Sequence, residues 1–541
     1  VVGETALDAA VSGGDNTAIG NSALTTLTSG ASNVAVGHDA LKLNTTGGFN
    51  VAIGSTALDA NTTASANVAI GNAALGANTT GHSHVAIGAN ALDANTTANY
   101  NVAIGADALT ANTTGQSNVA VGALSLDACT TGNDNVAIGH NALTTSTDAS
   151  NNTAVGGAAL RYTTGSNNTA VGRSVLGANT SGTQNNAVGA FSLDANTTGG
   201  SNNALGYSAL GVNTTGGSNT AVGNYALAAN TTANNNTALG KSALAANTTG
   251  TQNVAVGALA LDSNTTANNN TALGYSSLTT NTTGSENTAV GMRSLEMTTT
   301  GTGNTAVGSN ALEENTTASN NTAVGNSALT LNTTGADNVA VGANSLDANT
   351  TGQGNNAIGR NALGVNTTGS YNQAIGRECL DANTEGERNV GVGHASLSGN
   401  TTGDKNIAIG FNALNANTTA DNNTAVGNEA LAANTTGTSN TAVGANALDA
   451  CTTGHSNTAV GYLSLSGDVD GIRNVAVGFH AGQAQNDADD NVWIGYQSGL
   501  SCTTGSTNTG IGKDALRANT TANHNVAVGT DALTANTTGA S

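Results

Sequence analysis

The sequence predicts an all-β solenoid, a chain wound into stacked rungs, and three observations carry that reading. A 17-residue unit recurs along the chain, the composition holds 72 Gly and no Pro, and every unit pairs one short strand pattern with turn signals. Residues 423–439, NTAVGNEALAANTTGTS, show the unit in its plainest form. Counted from the Asn before each T/V-A-V/I-G, copies open at Asn16, Asn33, Asn50, Asn67, His84, Asn101, Asn118, Asn135 and Asn152. One 16-residue step leads to Asn168, and the 17-residue step then holds to Asn525. That makes 31 units and a partial copy at Val1, about 32 rungs in one continuous repeat region over residues 1–541.

Within a unit, positions one to five (N-T-A-V-G) form a short strand in which positions two and four share one face and positions one, three and five share the other. Position four is Val, Ile or Leu (Val426, Ile409, Leu239) and position nine is nearly always Leu (Leu431, Leu414). These two are expected to build the core. The Gly at five and the N-T-T-G at twelve to fifteen supply the turns. Seventeen residues cannot form a helical pair with its own core, but they suffice for one rung whose strand pairs above and below at about 4.8 Å. Strands paired on both sides have no place for a nitrogen without a hydrogen, which accounts for the lack of Pro. Like residues then stack in columns, with Asn at twelve, Thr at thirteen and fourteen, and Val or Ile at four. Variation collects at positions six, seven, ten, sixteen and seventeen, the expected solvent-facing corners.

The third position needs its own reason. With position four turned to the core, Ala238, Ala323, Ala408 and Ala425 face away from it, and their uniform smallness predicts a second backbone packed against them. One Val and one Leu per rung also make a thin core. Both points lead to a parallel homo-oligomer with the alanine column as the inter-chain face.

The net charge of −21 is spread thinly along the units and argues against nucleic acid or an anionic membrane surface as partner. No run approaches the roughly 18 consecutive apolar residues of a membrane span. With 8% charged residues the chain also lacks the charge and Pro of a disordered one, and it has a strict apolar period. The first residue is Val1, inside a unit, so the sequence reads as a segment of a longer or processed protein. Cys129, Cys379, Cys451 and Cys502 are too scattered for a metal or disulfide framework, and three of them stand where position twelve is usually Asn, which reads as packing at a corner. No Ser/His/Asp or Cys/His constellation, phosphate loop or carboxylate pair rises above the repeat, so neither catalysis nor a cofactor is expected.

The N-T/V-A-V/I-G unit resembles the left-handed parallel β-roll of trimeric autotransporter adhesin heads, whose repeats are shorter. It is closer to the N-T-A-I-G-Y-Q-A-L…N-T-T-G repeats of bacterial and phage tail-fibre-domain proteins. Residues 491–499, NVWIGYQSG, and 219–227, NTAVGNYAL, match them well. The resemblance covers the whole chain. It implies a left-handed solenoid, assembly as a parallel homotrimer, and a place outside the cell or on a virion as the shaft of an attachment fibre. Cell-surface glycan or receptor binding would then reside in other domains. A self-assembling extracellular filament or matrix protein is the main alternative, and a module binding glycans along its own corners is a third.

Three stretches depart from the pattern. The 16-residue unit 152–167 lacks the corner Asn and carries Arg161 and Tyr162 before Thr163, which reads as a local dent. In the variant rungs 457–507, Gly482 and Gly499 replace the Leu of position nine while Phe479 and Tyr496 take position six, so an aromatic is expected to fill the space. Trp493 occupies the small third position and is expected to lie over Gly510 of the next rung. The other reading of this region is an aromatic ligand-contact patch of Phe479, His480, Trp493 and Tyr496. Finally, His82 and His84 flank Ser83 ahead of a strand; scattered histidines are the plain reading and a metal or anion site the sharper one.

Overall fold

The structure is a computed structural model that describes residues 1–539. The chain divides into two compact units, Val1–Asn269 and Asn270–Ser541. The first carries fifteen three-residue strands, from Thr17–Ile19 to Val254–Val256, and the second sixteen, from Thr271–Leu273 to Val526–Val528. Within each unit successive strands pair in parallel and in register, as in Thr424↔Thr441, Ala425↔Ala442 and Val426↔Val443. The protein is thus an all-β parallel solenoid of 31 rungs about 17 residues apart, without a helix among the described residues. The partial first copy joins it through an isolated bridge from Val2 to Ile19.

Local conformation explains the turn residues. Gly427 ends its strand at φ 142°, and a Cβ there would meet the carbonyl oxygen of Gly444 at 2.5 Å. Only glycine tolerates both the angle and the approach. The chain then turns through two left-handed residues, Glu429 (φ 54°) and Leu431 (φ 52°), and a third, Ser439 (φ 60°), precedes the next rung. A β-branched side chain is a severe outlier in that region, so position nine takes Leu and not Val or Ile.

The faces of the strand are reversed from the sequence expectation. Ala238, Ala323, Ala408 and Ala425 are fully buried inside their own chain, whereas Val426 is half-buried and Leu239 and Ile409 are exposed on the outside. The reason is width. The space inside one 17-residue rung is occupied by Ala430 and Leu431 of the turn, leaving room for only a methyl group from the strand. One exception shows how tight this is: Cys379 replaces the usual small residue at position eight, and Gly391 replaces Ala at position three of the next rung. A Cβ on Gly391 would lie 2.4 Å from the Cys379 sulfur. Two small residues trade volume so that the filled interior stays filled.

Much of that interior is polar, and two asparagine columns run through it. At position one, the Asn423 N–H donates to Asn406 Oδ1 (2.9 Å) and the Asn423 amide to the Gly437 carbonyl (2.8 Å). At position twelve, Asn434 donates to Asn417 Oδ1 (3.0 Å) and to the same Gly437 carbonyl (2.9 Å). Most of these amides are satisfied by their neighbours along the stack, which is what makes complete burial tolerable; Asn434 Oδ1, which meets Cys451 in the next rung, is one of the exceptions. Thr435 extends the pattern outward, its hydroxyl donating to the Thr452 carbonyl at 3.1 Å. The Asn of the N-T-T tripeptide is therefore an internal strut.

The 16-residue rung keeps its strand in register, with Thr153↔Thr169 and Ala154↔Ala170. Thr163 takes the buried place of the ladder Asn and accepts from Asn179 at 2.9 Å. Thr164 matches Thr180 of the next rung, so the lost residue is one threonine of the turn.

Candidate interaction site

Two surfaces and a set of buried substitutions emerge from the columns. The first surface is the outer strand face. From Val34–Val36 to Val136–Ile138, seven consecutive strands place Val or Ile at both outward positions, and none of these side chains is buried. Position four is apolar in every strand of each unit, with Leu205 50% and Ile409 41% exposed. Isolated exposed aliphatics are ordinary, but a contiguous strip is the mark of a surface that meets something.

The second surface lies in the variant rungs of the second unit. Phe479 and Tyr496 stack with centroids 5.4 Å apart and 5° between planes, and Tyr462 extends the stack at 5.5 Å and 25°. His480 stacks on Phe479 at 3.9 Å. Of the four residues the sequence suggested, Phe479, His480 and Tyr496 thus come together outside, and Tyr462 joins them. Trp493 does not: it is fully buried, and its indole N–H donates to Gln485 Oε1 at 2.8 Å.

Trp493 also settles what fills the missing leucines. Cβ atoms on Gly482 and Gly499 would lie 2.6 and 2.4 Å from the indole, and one on Gly510 would lie 3.0 Å from it. Trp493 itself, not Phe479 or Tyr496, occupies the space of both leucines, while its place over Gly510 is as expected. The sequence hides this because strand alternation alone does not place position three inside.

The buried substitutions fall in the asparagine columns. His84 replaces a position-one Asn: its Nε2–H donates to the Ala98 carbonyl (2.7 Å) and its Nδ1 accepts from the Asn101 N–H (3.2 Å). The neutral imidazole thus reproduces both halves of an amide. Burial pushes its pKa down from 6.5 to about 4. The partner His82 instead packs edge-on against Tyr100 at 5.1 Å, and no group of three or more metal-ligating side chains occurs among the described residues. The unfolded chain binds the proton more readily, so this stabilisation is complete above about pH 6.5 and is lost as pH falls towards 4. For a shift of this size the loss is on the order of 3 kcal/mol. Hydrogen-exchange protection of the rungs around His84, after correction for the intrinsic slowing of exchange in acid, is expected to fall between pH 6.5 and 4, and His84→Asn to abolish that fall.

Cys129, Cys451 and Cys502 sit buried in the position-twelve column, and burial pushes their thiols up to about 11, 12 and 11. They are protonated, weakly bonded stand-ins for Asn, as the corner-packing reading anticipated. A thiol cannot donate as an amide does. Below Cys129 and Cys451 in the stack, Asn112 Oδ1 and Asn434 Oδ1 are left buried without a partner. Cys451→Asn is expected to restore the bond and stabilise the fold by about 1–3 kcal/mol, read as a higher midpoint in denaturant.

The fold and these columns define a parallel β-solenoid repeat protein. No family model matches the chain, and no curated protein matches it.

Proposed function

We propose that the protein is the structural shaft of an extracellular or virion-associated attachment fibre, a left-handed solenoid assembled as a parallel homotrimer. The contiguous aliphatic strip on the outer strand face carries this reading. Copies arranged in parallel share one rung spacing, so the Val and Ile columns of one can lie against those of the next over the seven rungs where both outward positions are aliphatic, and the position-four column continues the contact along the rest of that unit. At about 4.8 Å per rung and about 10 Å of width, those seven rungs alone offer on the order of 340 Å² per copy. A standard stable interface takes roughly 800 Å² per partner, so the position-four column of the other rungs has to supply the remainder. The face that joins copies is then the Val and Ile strip and not the alanine column. A filled, hydrogen-bonded interior and a repetitive exterior suit a mechanical role more than a catalytic one.

The test is the solution mass. Light scattering is expected to give three times 52.2 kDa, and Val85→Lys combined with Ile87→Lys to weaken assembly without altering the β-sheet signal. A stable monomer would sink the assembled-shaft reading, and masses that grow without limit would favour the filament.

A further inference from the structure

We propose that the groove across residues 158–228 binds a neutral oligosaccharide, so that the solenoid wall is itself a recognition surface. The groove has two adjoining hollows on the turn face of the first unit, about 410 and 450 Å³, that share Asp194. Arg161 and Tyr162 of the shortened rung wall one end, and Phe191, Tyr207 and Tyr225 line the other hollow. Gly177 makes the junction possible, because a Cβ there would stand 2.8 Å from Asp194 Oδ1.

Three observations specify the ligand. First, the groove holds unspent hydrogen-bonding capacity of both kinds. Arg161 Nε is sealed from the hollow, so the guanidinium can meet a ligand only through its terminal nitrogens, and burial alone raises the Asp194 carboxyl above its ordinary range. Both residues line the same hollow without forming an ion pair with each other. A hydroxyl answers both, since it donates to a carboxylate and accepts from a guanidinium. Second, the aromatic rings meet nearly at right angles: Phe191 and Tyr207 at 5.9 Å and 83°, Tyr207 and Tyr225 at 5.4 Å and 74°. The stacked column at Tyr462, Phe479 and Tyr496 covers its own ring faces; here Arg173 lies over Phe191 at 5.3 Å, while Tyr207 and Tyr225 remain 43% and 45% exposed. Their exposed surfaces suit the apolar C–H side of a pyranose, and the rings recur at the rung spacing, close to the advance of one sugar along an extended chain. Third, Arg161 and Asp194 balance in charge within the first hollow while the chain as a whole carries −21, which favours a neutral ligand over an anionic polymer. The groove differs from the inter-copy strip in place and chemistry, so its occupancy stands apart from the oligomeric state.

Saturation-transfer NMR on the full chain tests this, with cellohexaose, maltohexaose, laminarihexaose and mannohexaose as neutral probes and trigalacturonate as the anionic one. At least one neutral hexasaccharide is expected to bind in preference to trigalacturonate. Asp194→Asn and Tyr207→Ala, both surface changes, are each expected to weaken that binding about tenfold. Tyr275→Ala, an exposed tyrosine in the other unit, is expected to leave it unchanged. The proposal is overturned if none of the neutral probes binds at millimolar concentration, if trigalacturonate binds best, or if binding survives both groove substitutions.

Discussion

Trp493→Ala is expected to destabilise the rungs around it by about 3–5 kcal/mol, the usual cost of deleting a large buried aromatic whose site cannot collapse. Collapse is unavailable here because Gly482 and Gly499 have no side chains to move inward, and the backbone on either side is tied into parallel pairing with Val475–Val477 and Thr509–Ile511. The change also strands Gln485 Oε1, which accepts the indole N–H. Repair is as informative as damage. Restoring the repeat with Gly482→Leu and Gly499→Leu on top of Trp493→Ala is expected to recover most of the loss. Both glycines sit at φ 61°, close to the angles leucine adopts at position nine elsewhere. Either Gly→Leu change alone, with Trp493 present, is expected to be strongly destabilising, since even a Cβ collides with the ring. Hydrogen exchange resolved by rung is the suitable measurement, because repeat proteins open locally. Additive costs across the triple variant would refute the shared volume.

Asp468→Asn is expected to stabilise the protein at pH 8 and to remove a pH dependence between about 4 and 7. Asp468 stands in the position-twelve column, fully buried, and burial pushes its carboxyl up to about 7. The folded chain therefore holds the proton more tightly than the unfolded one. Its contribution is fully present below about pH 4 and is lost as pH rises through 7, the opposite sense to His84. A carboxyl raised that far corresponds to a difference on the order of 4 kcal/mol. Asp468 Oδ2 accepts from Gln485 Nε2 at 3.4 Å, and Gln485 in turn holds Trp493, the one tryptophan of the chain. Emission from Trp493 is thus expected to shift with a midpoint near pH 7, and to stay flat in Asp468→Asn. A flat response in the parent protein would show that the carboxylate is solvated.

Both effects arise where a residue breaks the repeat, and such residues divide what could be read from what could not. By itself the sequence determined the rung. The 17-residue period, the lack of Pro, the strand at N-T-A-V-G, the buried Leu of position nine and the asparagine column at twelve all follow from chemistry that acts within one unit or between identical neighbours. Corner packing of the cysteines and the seat of Trp493 over Gly510 were legible for the same reason. Which face of the strand points inward was not. Alternation separates Ala425 from Val426 but does not say which is inside, and hydrophobicity favours valine. The tertiary structure decided for alanine, because the bore of a 17-residue rung is set by the turn that closes it, and Ala430 with Leu431 already fill the bore. From that single inversion follow the burial of Trp493, the loss of the alanine column as an exposed face, and the aliphatic strip on the outside of the strands. The groove at Asp194 was beyond the sequence for a related reason: Arg161, Asp194 and Tyr225 lie tens of residues apart, and only stacking at the rung spacing brings them to one wall.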